Sequence, residues 1–203
     1  MPMKKKKLMT RLAIGLARSV LVAGILLSFA QPISANLIAN GGFETGDFTG
    51  WTLTGNVTPS TRVTTASDDP TVIHVHSGIY GVVSGPHPPD VYLSQSLATT
   101  VGQTYIVDFW LAASGGPPNH FSVNWNGTSL SSMVDSPSFS FTEFNFAVTG
   151  TGSDTLQFDM NNTGLAWGLD DVSVTPTPTP EPGSLVLVAL GLAGLGWSRR
   201  RQR

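Results

Sequence analysis

The closing run Leu169-Asp170-Asp171-Val172-Ser173-Val174 places two carboxylates beside apolar residues. Period-two reading puts Val172 and Val174 on a buried face, and Asp170 shares their parity unless the strand is irregular. A carboxylate turned inward needs a partner, because burying it alone is costly. Arg62 is the only base between Ser19 and Ser198. Calcium is the other answer, since it takes carboxylate and carbonyl oxygens. The plainer alternative is that Asp170 or Asp171 accepts hydrogen bonds from backbone groups in a turn.

A second candidate is Trp110. It is out of phase with the apolar set of its own segment and shares a face with Asp108. A tryptophan beside carboxylates and amides on a sheet face suits sugar recognition: C–H groups stack on the ring and hydroxyls bond to the polar edges. Tyr92, Asp108, Trp110 and Asn124 are the candidate ligand-binding residues. The alternative is that Trp110 packs in the second sheet's interface or under a loop. His74 and His76, two apart on an apparent strand, face one way and read mainly as a surface pair, because no spacing fixes a third metal ligand. Nucleophile elbows, zinc-protease, P-loop and dinucleotide motifs are all absent from the sequence, so the expectation is a non-catalytic protein.

The segments that must position these groups are strands. Tyr105, Val107, Phe109 and Leu111 alternate with Ile106, Asp108 and Trp110. Phe121, Val123 and Trp125 alternate with Ser122 and Asn124, and Leu156, Phe158 and Met160 with Gln157 and Asp159. Asn126-Gly127 is a tight-turn signal. Phe139 and Phe141 are odd-numbered, whereas Phe144, Phe146 and Val148 are even. One extra residue near Thr142-Glu143, a β-bulge, would bring all five to one face. Trp51 and Trp125 read as core. Many short strands between Gly, Pro, Asn and Ser clusters predict an all-β, two-sheet antiparallel sandwich over residues 36–174, with its first strand starting at Asn36.

Charge divides the 203-residue chain into three. Six bases and no acid lie in the first eighteen residues, and four bases and no acid in the last five. Thirteen acids against Arg62 alone leave the stretch from Glu44 to Glu181 at −12. That middle repels nucleic acid and anionic membranes. Cysteine is absent, which excludes disulfides and thiolate chemistry. The mean hydropathy of +0.10 is raised by apolar segments near both ends. Residues 1–35 read as a secretory signal peptide: a basic start, then the apolar Ser19–Ala30. Cleavage fits after Ala30 or after Ala35, and Ala35 is preferred. At the other end, Thr175–Pro180 (TPTPTP) predicts an extended linker. Pro180-Glu181-Pro182 follows, then an uncharged run over residues 184–197 and the Arg199–Arg203 cluster. The run reads as a short transmembrane helix whose arginines stay on the cytoplasmic side.

The order of Pro180-Glu181-Pro182, apolar helix and arginine cluster resembles the PEP-CTERM sorting tail. That resemblance implies export across the inner membrane of a Gram-negative, exopolysaccharide-producing bacterium. It also implies an exosortase as partner, cleavage near the motif, and release to the cell surface or matrix. An ordinary single-pass anchor would have the same topology. The folded middle carries a second resemblance. Asn40-Gly41-Gly42-Phe43-Glu44 with Gly50-Trp51, His76-Ser77-Gly78-Ile79-Tyr80, Leu93–Leu97, Gly102–Tyr105 and Leu169–Val174 are similar, in order, to carbohydrate-binding modules of the family 4/9/22 type. This implies a jelly-roll with a galactose-binding-like fold. It also implies a structural calcium whose ligands match Glu44 and Asp170, with Asp171 adjoining. The expected function is a domain that binds exopolysaccharide without catalysis. The alternative is a structural or adhesive biofilm-matrix protein without a sugar site.

Overall fold

The computed structural model describes residues 35–67, 75–85, 87–178 and Leu190. The signal segment before Ala35, His74, the Pro180–Pro182 motif and the rest of the apolar tail lie outside the described residues. Among the described residues no helix is long and apolar enough to cross a membrane.

Among the described residues ten strands form two antiparallel five-stranded sheets. The first sheet runs β1 (Thr52–Gly55), β4 (His87–Ala98), β9 (Ser153–Asn162), β6 (Asn119–Trp125) and β7 (Thr128–Val134). The second runs β2 (Thr61–Thr65), β3 (Tyr80–Ser84), β10 (Trp167–Pro176), β5 (Thr104–Ala113) and β8 (Phe139–Thr149). The order is non-sequential, so every central strand pairs on at least one side with a segment distant in the chain.

The alternating apolar sets form the core between the sheets. Val107, Phe109 and Leu111 from β5 meet Phe121 and Val123 from β6 and Leu156, Phe158 and Met160 from β9, all buried. Phe109 touches Phe121, Phe144, Phe146 and Phe158 at centroid distances of 5.1–6.2 Å. Trp51 and Trp125 are buried, Trp125 in phase with Phe121 and Val123 of its strand. The Trp51 indole donates to the Asn40 carbonyl at 3.1 Å. Asn126 and Gly127 both take positive φ, 51° and 76°, closing the β6–β7 hairpin.

Three expectations need correction. The stretch from Asn36 to Thr49 is not a regular strand. It lies along β10 by isolated bonds, Leu37 N to Val174 O at 2.9 Å and Val174 N to Asn36 Oδ1 at 2.8 Å. Gly41 crosses β10 so closely that a Cβ there would stand 1.9 Å from the Val172 carbonyl oxygen, which no side chain tolerates. The β8 bulge falls earlier than Thr142-Glu143: Leu111 pairs with Thr142 and Ala113 with Phe139, so the extra residue lies at Ser140-Phe141. Phe139, Phe144 and Phe146 therefore pack on the core, and Phe141 turns outward to meet His76 at 5.4 Å.

The third correction concerns β10. Asp170 pairs with Trp110 but Ser173 pairs with Asp108, so one residue is extra in β10. Asp171 takes a positive φ of 49° at this bulge. The phase flips there. Leu169 and Val174 both pack inward, while Asp170 takes the outer face with its partner Trp110. Asp170 is fully buried all the same, beneath the segment that begins at His76.

Candidate functional site: two outer sheet faces

The expected ligand-binding residues do not form one patch. Tyr92 and Asn124 lie on the outer face of the first sheet, and Asp108 and Trp110 on that of the second.

On the second sheet, Trp110 is not an open platform. The His76 ring lies flat on it, with centroids 3.7 Å apart and planes 11° apart. His76 Nδ1 is 2.7 Å from Asp171 Oδ2, and Ser77 donates its hydroxyl to Asp171 Oδ1 at 2.8 Å. Asp170 Oδ2 accepts the backbone N–H of His76 at 2.8 Å and of Ser77 at 3.2 Å, and Oδ1 accepts that of Asp171 at 2.7 Å. Glu44 takes the next residues, accepting the N–H groups of Ile79 and Tyr80 at 3.0 and 3.1 Å. Three carboxylates thus hold one short segment, His76–Tyr80. Burial pushes the Asp170 carboxyl up to about 6 against the lowering effect of those N–H groups. Burial also raises Asp108 to about 6, helped by the charge and hydrogen bond of Glu143 and then by the charge of Asp171.

Glu44, Asp170 and Asp171 offer the carboxylate oxygens that calcium takes, and burial disfavours an uncompensated charge on Asp170. Their oxygens are nevertheless engaged by N–H and O–H donors, and among the described residues no three acidic or histidine side chains converge as a ready metal cage.

On the first sheet the outer face is a polar grid. From β1 to β7 its middle row reads Thr54, Tyr92, Asp159, Ser122 and Ser132, neighbours by register. The row beside it reads Thr52, Ser94, Gln157, Asn124 and Ser129. Asp159, on the central strand, organises the grid. Ser122 donates its hydroxyl to Asp159 Oδ2 at 3.1 Å, Asn124 Nδ2 donates to the same oxygen at 3.0 Å, and Gln157 Nε2 donates to Oδ1 at 2.7 Å. Asn124 also donates to Ser122 Oγ at 3.1 Å. Ser122 and Asn124 point away from the core, yet they are only 5% and 8% exposed. A face that sinks its polar groups while fixing their orientation presents pre-aimed donors and acceptors. Asp159, Gln157 and Ser122 were not singled out from sequence. The available signal was their alternation with core residues on the strands that carry Asn124 and Phe158.

Comparison with known proteins agrees with the architecture. The tail matches the model of the PEP-CTERM protein-sorting motif over residues 178–201. No curated protein matches the sequence. A solved carbohydrate-binding module, TmCBM61 in complex with beta-1,4-galactotriose, is similar with a TM-score of 0.54 and 22% identity, over 71% of this chain and all of that one. The CBM22-1 xylan-binding domain from Paenibacillus barcinonensis Xyn10C is similar with a TM-score of 0.50 and 15% identity, over 72% of this chain and 97% of that one. The enzymatically active domain of bacteriophage CBA120 tailspike protein 4 scores 0.52 at 16% identity, over 70% of this chain but only 21% of its own length. The chain therefore carries a PEP-CTERM sorting motif, which marks an exported protein of the cell envelope or surface, and its described domain has the jelly-roll fold of carbohydrate-binding modules.

Proposed function

We propose that the protein is released to the cell surface or matrix after an exosortase cleaves its tail, and that its domain binds exopolysaccharide without catalysis. The observation that carries the reading is the Asp159 grid, in which Ser122 and Asn124 are sunk and oriented on an outward face. Tyr92, paired directly with Asp159, adds an aromatic surface for sugar C–H groups. Similarity to a galactotriose-bound module and to a xylan-binding domain supports it. A structural calcium at Glu44, Asp170 and Asp171 belongs to the same proposal, tying the entry segment to β10 and to His76–Tyr80.

The test is a glycan array with the full chain purified in detergent. Binding is expected for at least one polysaccharide class. It should be lost in Tyr92→Ala and Asn124→Ala, with circular dichroism unchanged. Silence across the array and against the host's own polysaccharide would favour a structural matrix protein instead.

A further inference from the structure

The Asp159 carboxylate is fixed by three neutral donors, and among the described residues no lysine, arginine or histidine forms an ion pair with it. Ser122, Asn124 and Gln157 orient its oxygens, and none carries charge. The only lysine or arginine among the described residues is Arg62, on β2 of the other sheet, where it reaches the Pro59 carbonyl at 3.4 Å. An ionised carboxylate offers about four acceptor positions, so the three donors leave room for one more. Across from Asp159 on β4 is Tyr92, whose ring lies beside Gly55 of β1 and offers a π surface to a cation. The surrounding stretch, thirteen acids against one base, draws cations toward the domain and repels uronate or sulfate groups.

We infer that this face takes a glycan bearing free amino groups, such as a de-N-acetylated hexosamine polymer, with one ammonium seated between the Asp159 carboxylate and the Tyr92 ring. The inference rests on the glycan-binding reading above and names its ligand class. An acetylated amide carries no charge, so it gains neither the charge-assisted hydrogen bond nor the cation–π contact.

Titration calorimetry of the full chain in detergent, with a β-1,4-linked glucosamine hexamer and its fully N-acetylated counterpart, separates the outcomes. The free-amine hexamer is expected to bind about tenfold more tightly at low salt. The difference should narrow as salt rises and vanish in Asp159→Asn. Equal affinities, or tighter binding of the acetylated hexamer by the unmodified chain, would overturn the inference without any variant being needed. A preference that survives in a folded Asp159→Asn protein would overturn the assignment to this carboxylate. If neither hexamer binds while another array glycan does, the ammonium inference falls and glycan binding stands. If nothing on the array binds, both fall.

Discussion

His76 covers one face of Trp110, the two rings lying 3.7 Å apart and within 11° of parallel. The stack joins the segment before β3 to the outer face of β5, and Asp171 anchors the imidazole from β10. Trp110 is a structural clamp in this arrangement. Trp110→Ala is expected to destabilise the domain by about 1–2 kcal/mol, lowering the melting temperature by several degrees. Glycan capture should be unchanged, because Tyr92 and Asn124 lie on the other sheet. Loss of capture in a folded Trp110→Ala protein would move the site to the second sheet.

Calcium should raise the melting temperature of the full chain by mass action, and EDTA should reverse the shift. Glu44→Ala and Asp170→Ala should abolish the response. The N–H groups that now hold these carboxylates must share them with the ion. An unchanged melting curve in millimolar calcium and in EDTA would mean that the segment His76–Tyr80 is held by hydrogen bonds alone.

Acidity should stabilise the calcium-free protein, then weaken it. Asp108 and Asp170 have folded-state values raised to about 6 from an ordinary 3.8. The folded state therefore binds their protons more tightly than the unfolded state does. Stability from these two groups is gained as pH falls from about 6 toward 4, and lost as it rises through 6. Asp154 behaves in the opposite way. Burial raises it, but hydrogen bonds from Thr151, Thr99 and Asn126 outweigh this and hold it at about 2. Its contribution is complete above about pH 4 and is lost toward pH 2. Melting in EDTA across pH 3–8 should peak between about 4 and 5. A monotonic rise to pH 8 would contradict the burial of Asp170.

Intact-mass analysis of protein recovered from the cell surface should show loss of the signal and of the segment beyond about Pro182. β10 ends at Pro176, and Thr177 is still tied to the domain by its N–H to the Thr104 carbonyl at 2.9 Å and by Gln103 Nε2. The sorting motif begins at the next residue. Recovery of the intact tail, in a strain that processes other Pro-Glu-Pro proteins, would leave only an ordinary anchor.

Alternation is a local property, and it determined which side chains enter the core. Tyr105, Val107, Phe109 and Leu111, or Leu156, Phe158 and Met160, repeat every second residue, and a strand can bury such a set in only one way. The acidic middle, the absence of cysteine and the ordered tail were equally legible, because each depends on residue type and order alone. Only the tertiary structure decided which outward residues are neighbours. Tyr92 and Asp159 are 67 positions apart and meet because β4 pairs with β9, whereas Trp110, apparently a partner of Tyr92, belongs to the other sheet. The bulge at Asp171 reversed the parity from which Asp170 had been placed inward. Strand order and bulges arise from non-local pairing, in which each ladder depends on the register of the next, so no window of sequence contains them.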